Sequence, residues 1–488
     1  MWTQSSRPGL CASLALTLTL GATALAPAGD AHASGLLVAR FGGEHGHPTT
    51  YNLTAMYYNP AGLSLLGGTR LMLDGTFAWR SFTFNRDPAG IDNVLADPNV
   101  GTGTPAGAGV EANSGEASLF NVLANPFIGF ATDFGVEGLG VGLAFYVPIG
   151  GVTNFDKVDD NPDFPGAEDG PARWWVIEGT LRAMYFTAAV AYRIEDARLS
   201  VGAGFNLVLS QMDTIRARNS DGTDHLTSNG QLLEGRALID VSGLDVSLSA
   251  GLIWEPIDHL YIGLSYQSQP GFGTTRMTGD TTLVLGAGPV DEVAPTPSEF
   301  FNAWPDVIRA GVRYGEPGCW EVRLFGELAR WSKLYEQCLL NTTIADRSCR
   351  GNPPPGKIVL IPRRWEDAVG VRVGGSWWAS EDAELVLGLG YDGNAVPDKT
   401  IDPALYDTEK YTIALGGRFA LSDNLNLSVT YTQVIYPDRT VAARTHQPGA
   451  TTGDIESLGF TEPERSPDAA GTYKHAIGVL DVSVEATF

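Results

Sequence analysis

The sequence predicts an all-β protein, a transmembrane antiparallel β-barrel of about fourteen strands preceded by a compact N-terminal segment that is a candidate plug, or hatch. Three observations predict it. The chain opens on an export signal, yet no later window is apolar enough for a transmembrane helix. From Thr69 onward apolar and polar residues alternate with period two, so that one face of each run can meet lipid and the other water. Short turns and long polar connections then alternate strictly, as periplasmic turns and extracellular loops do in an outer-membrane barrel.

Residues 1–33 read as a secretory signal peptide. Arg7 supplies the positive charge, residues 10–25 form the apolar run, and Ala31-His32-Ala33 is a small-x-small cleavage site. The run is short for a bilayer span of about 20 residues, and Cys11 lies in it without a lipobox. The expected division is signal peptide 1–33, hatch 34–66 and barrel 67–488. A formal net charge of -24 argues against nucleic acid and an anionic membrane surface as partners. Of the mature cysteines, Cys338 and Cys349 can pair in an oxidising compartment, leaving Cys319 single. No cysteine spacing supplies a metal site, and no cofactor is expected.

Within the hatch, Tyr57-Tyr58-Asn59-Pro60-Ala61-Gly62-Leu63 reads as a capped helical turn. Asn59 caps it, Pro60 takes the first helical position and Gly67-Gly68 stops it. Glu44-His45-Gly46-His47 offers two histidines and one carboxylate, short of a defined metal site, and is read as a hatch turn.

Alternation is seen at Leu71, Leu73, Phe77 and Trp79, at Leu139, Val141, Leu143 and Phe145, and at Leu199, Val201, Ala203 and Phe205. It recurs at Leu244, Val246 and Leu248, at Leu385, Leu387 and Leu389, and at Leu425, Leu427 and Val429. A soluble sandwich also alternates; the connections separate the two. Turns are expected at 135–138, 195–197, 255–258, 316–318, 380–382 and 422–424, and long loops near 85–116, 151–177, 219–234, 280–304, 336–362, 396–407 and 441–471. The last run, 473–488, is amphipathic and ends in Phe488, the usual form of an outer-membrane assembly signal.

These residues carry a resemblance. Ser34-Gly35-Leu36, the Asn59-Pro60-Ala61 segment, Gly390-Tyr391-Asp392, Val396-Pro397-Asp398 and Leu421-Ser422-Asp423-Asn424-Leu425 are similar to the FadL/TodX family of outer-membrane transporters for long-chain fatty acids and other hydrophobic compounds. The resemblance implies a fourteen-stranded barrel with a lumenal hatch and a ligand captured outside and released sideways through the wall. It also implies that Ser34, Gly35 and Leu36 reach the ligand and that Asn59, Pro60 and Ala61 belong to the hatch. The family's basic residues for a fatty-acid carboxylate find no match here.

Bottom-up, a wall opening needs glycine, proline or a bulge where ladder bonding fails. The third strand offers Gly140, Gly142, Pro148 and Gly150 as a lateral gate; the same small residues can instead make room for the plug. Phe155, Phe164, Phe300 and Phe301 lie in long connections and are expected to form an exposed capture surface, whereas Trp174 and Trp304 suit an interfacial girdle. By alternation Arg70, Arg80, Arg309, Arg313, Arg323, Arg372 and Arg418 point inward, mostly paired, with one available for a carboxylate.

Expected partners are therefore a hydrophobic small molecule and outer-membrane lipids, with the chain as a monomer. Catalytic motifs such as Gly-x-Ser-x-Gly and His-Glu-x-x-His are lacking. The competing readings are an outer-membrane enzyme on the barrel rim and an adhesive or structural barrel; within transport, fatty acids and aromatic hydrocarbons both remain open.

Overall fold

The computed structural model describes residues 40–91, 108–219, 223–228, 231–286, 293–351, 354–443 and 467–488. Gly67 and Gly68 adopt positive φ (62° and 72°) and turn the chain out of the hatch into β1 (Thr69–Arg86). Then come β2 (Gly115–Thr132), β3 (Leu139–Asn154), β4 (Glu178–Ile194) and β5 (Leu199–Arg218). A loop hairpin, β6 (Thr227–Ser228) with β7 (Gln231–Leu232), stands apart from the main sheet.

β8 (Gly235–Ile257) is long enough to pair with two segments in succession, β9 (Leu260–Gln267) and β10 (Thr275–Val284). The same division runs through the next staves. β11 (Thr296–Asn302) continues into β12 (Val307–Glu316), and β13 (Trp320–Ala329) into β14 (Glu336–Asn341). β15 (Lys357–Pro362) then continues into β16 (Ala368–Ser380). β17 (Ala383–Asp392), β18 (Lys410–Ser422), β19 (Leu425–Ile435), β20 (Arg439–Val441) and β21 (Gly471–Thr487) complete the chain.

β21 pairs back onto β1, from Arg70 opposite Thr487 to Arg86 opposite Gly471, and closes an antiparallel barrel of fourteen staves. Closure leaves the barrel without a free edge strand. Each of the six expected short turns marks a junction of two paired strands, although at 255–258 β8 runs on to Ile257 and the turn itself is Asp258-His259. Of the long loops, 280–304 and 336–362 are shorter than expected, because β10, β11, β14 and β15 extend the staves past the breaks. In β14 and β15 the runs Cys338-Leu339-Leu340 and Ile358-Val359-Leu360-Ile361 are apolar on both faces, so a reading keyed to alternation takes them for loop.

Outward rows such as Leu385, Leu387 and Leu389 are exposed, as a lipid face requires. Trp79, Trp254 and Trp377 are exposed with them. Trp174 and Trp304 are not: both are fully buried, their indole N–H groups donating to Asn113 Oδ1 (2.9 Å) and Ser210 Oγ (3.0 Å), which corrects the girdle expectation. Cys338 and Cys349 form a disulfide with a Cα–Cα distance of 6.1 Å. Among the described residues no cysteine is free, so the expectation that Cys319 stays single is not kept.

The hatch fills the lumen as a short helix (Ala55–Tyr58) followed by a 3-10 turn (Pro60–Leu65). Asn59 caps that turn by accepting the Ala61 N–H (3.1 Å), and its amide donates to Pro48 O (2.7 Å) and to the wall at Leu252 O (3.0 Å). The wall meets it with glycine. A Cβ on Gly251 would lie 2.0 Å from Asn59 Oδ1, and one on Gly202 2.4 Å from the Ala61 nitrogen. Replacing Gly202 with Val should therefore unseat the hatch at a cost of about 1–3 kcal/mol. The expected outcome is a barrel that assembles normally, judged by heat-modifiable mobility, but shows raised single-channel conductance in planar bilayers; unchanged conductance would contradict this seating.

Candidate ligand-binding site

The lumen below the hatch is polar and its charges are matched. Arg309 bonds Glu327 (2.6 Å), Glu321 takes both Arg313 and Arg323 (3.0 Å each), and Arg372 bonds Asp392 (2.7 Å). Arg418 bonds Glu384 (2.7 Å), and Arg70 bonds Glu485 (2.7 Å). Several of these groups also hold the plug. Arg309 donates to Tyr57 O (3.3 Å), Glu384 lies 3.2 Å from His45 Nε2, and Asp74 accepts the Gly42 N–H (2.6 Å). His47 is buried, and burial, reinforced by Arg323 and Arg313, holds its imidazole well below the usual range; its Nδ1 lies 3.0 Å from Thr49 Oγ1. Among the described residues no group of three or more His, Cys, Asp or Glu side chains could hold a metal.

Arg80 differs from the other six predicted arginines. Its Nε donates to His475 Nε2 (3.1 Å), and it forms no ion pair with any described residue. It lines a cavity of about 160 Å³ on the outer side of the hatch, with Ile149, Leu181, Ile239, Phe300 and Ile477 among its apolar walls. Tyr406, Tyr436 and His475 form an aromatic wall, the last two stacked at 4.2 Å. Arg216 enters the same cavity and is buried; among the described residues its Nε has no hydrogen-bond partner and its guanidinium forms no ion pair. Arg363 lines it as well but is tied to Asp402. Sequence reasoning missed Arg216, although extending the β5 alternation through Asn206, Val208 and Ser210 would have turned it inward.

A second, polar cavity of about 710 Å³ lies on the periplasmic side, lined by the hatch end Ser64, Leu65 and Leu66 and by Arg313 and Glu321. The two cavities share no lining residue. The plug separates an apolar, outward compartment from a polar, inward one.

β3 borders the apolar cavity where its bonding fails. The β2–β3 ladder runs from Thr132 opposite Val141 to Phe127 opposite Tyr146 and stops there, although both strands continue. On the other side, β3 bulges against β4 between Tyr146 and Ile149. Pro148, with no N–H, lies within the bulge. Three bonds span the gap: Asn121 Nδ2 to Val152 O (2.5 Å), Asp156 N to Ser118 O (2.8 Å) and Ser118 Oγ to Asp156 Oδ2 (2.9 Å). Ile149, Gly150 and Gly151 line the cavity at this gap.

The structure divides the predicted gate. Pro148 and Gly150 lie at the break, but Gly140 and Gly142 lie in intact ladder. A Cβ there would strike Leu63 O (2.4 Å) and Met56 Sδ (2.9 Å), so these two glycines make room for the plug. The exposed four-phenylalanine surface is also corrected. Phe155 is buried, its ring 6.0 Å from Phe82, and Phe164 is half-buried. Phe300 faces the cavity, while Phe301 packs on the other face with Cys338, Leu340 and Leu360. Large apolar side chains in long connections found burial in a folded cap instead of facing water. Ser34, Gly35 and Leu36 lie outside the described residues.

The family model for outer membrane protein transport proteins (OMPP1/FadL/TodX) matches residues 19–459. No curated protein matches the chain. Among solved structures, a Pseudomonas aeruginosa FadL homologue is similar at 15% identity, covering 94% of this chain and 100% of its own, with a TM-score of 0.67. The Pseudomonas putida toluene transporter TodX matches at 14% identity, covering 94% and 99%, with a TM-score of 0.61. The Ralstonia pickettii toluene transporter TbuX matches at 14% identity over the same shares, with a TM-score of 0.57.

Removing one member of a buried ion pair leaves the other uncompensated, a loss of about 3–5 kcal/mol. Arg309→Met, which strips both Glu327 and the hatch carbonyl of their donor, should lower the midpoint of thermal unfolding in detergent. Glu178→Gln, at an exposed carboxylate on β4, should leave it unchanged.

Proposed function

This chain belongs to the outer-membrane transport-protein family OMPP1/FadL/TodX, and from that premise we propose that its ligand rests in the cavity above the hatch and leaves sideways between β2 and β3. The protein is a multi-pass outer-membrane transporter of hydrophobic compounds and not an enzyme. The observation that carries the lateral route is the loss of β2–β3 pairing beyond Tyr146, at the strand that lines the apolar cavity. Each buried methylene stabilises a hydrophobic ligand by roughly 0.8 kcal/mol. A route through the polar lumen would forfeit that gain and would have to displace a hatch held by Asn59, Arg309 and Glu384. A sideways exit keeps the ligand apolar-solvated throughout, into the lipid of the outer membrane as its receiving phase. The closed barrel is complete in one copy, and a monomer suffices.

The charge of the ligand follows from Arg216 and Arg80. A buried guanidinium without a counter-ion is held at a cost of several kcal/mol, and a ligand carboxylate would offset it through charge-assisted bonds. The favoured ligand is therefore a hydrophobic compound with an acidic group, its apolar body against Phe300 and Ile149. The cavity volume supports a second reading. At about 160 Å³ it matches the ~150 Å³ apolar cavity that accepts benzene, so an uncharged single-ring hydrocarbon also fits.

Two measurements test these readings. A cysteine pair, N125C with G150C, where a Cβ on Gly150 would lie 3.3 Å from Asn125 Oδ1 past the end of the ladder, should form a disulfide across the gap and stop uptake by whole cells while leaving binding to purified protein intact, with uptake restored by reductant. Uptake that continues with the bond formed would refute lateral exit. For the ligand, Arg216→Met should weaken binding of a hydrophobic acid by about tenfold or more, as expected for a lost bond to a charged group, and leave toluene binding unchanged. Equal acid binding by variant and wild type would favour the hydrocarbon reading.

A further inference from the structure

The four broken staves break at one level. β9, β12, β13 and β16 run 8, 10, 10 and 13 residues from their periplasmic turns before the ladder is interrupted. Ten residues at about 3.3 Å each, tilted by about 40°, rise roughly 25 Å, the height of the apolar band of such barrels. The breaks therefore lie where the outer headgroups begin.

The lipid-facing side changes character there. Tyr266 donates to Asp306 (3.0 Å), and Arg330 Nε donates to both oxygens of the same carboxylate (2.9 and 3.0 Å), which neutralises it. Past this tie stand two cations, Lys333 and Arg364, which form no ion pair with any described residue. The acids beside them are engaged: Asp367 accepts the Ser332 N–H (3.0 Å), and Glu366 has its own partner. Phe272 and Tyr335 are exposed at the same level.

Arg364 is held in place by its backbone. Its φ of 50° lies in the left-handed region, unfavourable for a residue with a side chain. The Arg363 and Arg364 N–H groups both donate to Tyr335 O (3.0 and 2.9 Å) and maintain that conformation. Arg363 and Trp365 are buried on the inner side, so Arg364 faces out, its guanidinium 3.6 Å from the Tyr335 ring centroid. On a chain of net charge -24, Lys333 and Arg364 stand above an apolar wall as two cations outside any ion pair with a described residue.

We propose that Lys333 and Arg364 bind the phosphate of a phosphorylated glycolipid of the outer leaflet. Its acyl chains lie on the lipid-facing row below, where Val322, Leu324, Val369 and Val371 are exposed. The guanidinium grips phosphate oxygens through forked bonds, the ammonium adds a point charge, and the aromatic pair sits at the headgroup boundary. This surface is on the opposite side of the wall from the ligand cavity and is independent of the transport reading.

The test uses the detergent-solubilised full chain and native mass spectrometry with lipid A, bisphosphorylated or dephosphorylated. Wild type should retain the phosphorylated form at least tenfold better. The double variant K333Q/R364Q should lose that preference, K333R/R364K should keep it, and toluene binding should be the same in all three. No preference in the wild type, an undiminished preference in K333Q/R364Q, or displacement of lipid A by inorganic phosphate alone would each overturn the proposal.

Discussion

Hydrocarbon offers no partner to a backbone N–H or C=O, so a chain that crosses it as strands must pair every stave on both sides. The β1–β21 ladder meets that requirement for the sheet as a whole, and the remaining structure depends on it. Because closure is otherwise enforced, a place where two neighbours stop pairing stands out. Above Tyr146, the connection between the two strands comes down to a side-chain bond from Asn121 and two bonds between Ser118 and Asp156, with a proline and a bulge supplying the local irregularity. The gap lies beside the apolar cavity.

Closure also creates an interior that must be filled. The chain fills the lower lumen with its own N-terminal segment, and the fit is steric as much as electrostatic. Gly202 and Gly251 lack the side chains that Ala61 and Asn59 would strike, and the lumen arginines are spent on Glu321, Glu327, Glu384, Asp392 and Glu485. Buried ion pairs of this kind add little net stability but punish rearrangement, since a half-broken pair is an uncompensated charge. They make the hatch a position to keep. Arg80 and Arg216 are excepted from this matching, and both face the cavity above.

Much of this architecture was legible in the residues. Alternation from Leu71 to Val429, five of the six short turns and the Asn59-capped turn read correctly, and the sixth is displaced by about two residues, because each depends on neighbours within a few positions. The errors share one cause. Phe155, Phe301, Trp174 and Trp304 were assigned by their place in a connection or near a strand end, yet their partners Phe82, Leu360, Asn113 and Ser210 lie far along the chain. Gly140 and Gly142 show the same limit, since hatch-facing and gate-forming glycines look alike until Leu63 and Met56 are seen against them.

The sequence by itself determined that the chain is exported, that it crosses the membrane as strands and that a compact segment precedes them, since export signals, period-two alternation and capping are local patterns. The tertiary structure alone decided which arginines are neutralised, where the β2–β3 ladder stops and what lines the cavity. Arg80, Arg216, Phe300 and His475 come from four distant stretches, and only closure of the sheet brings them to one wall. Whether a charge is matched or a ladder complete is a property of neighbours across the barrel, and those neighbours are set by register and closure, which no single run of residues contains.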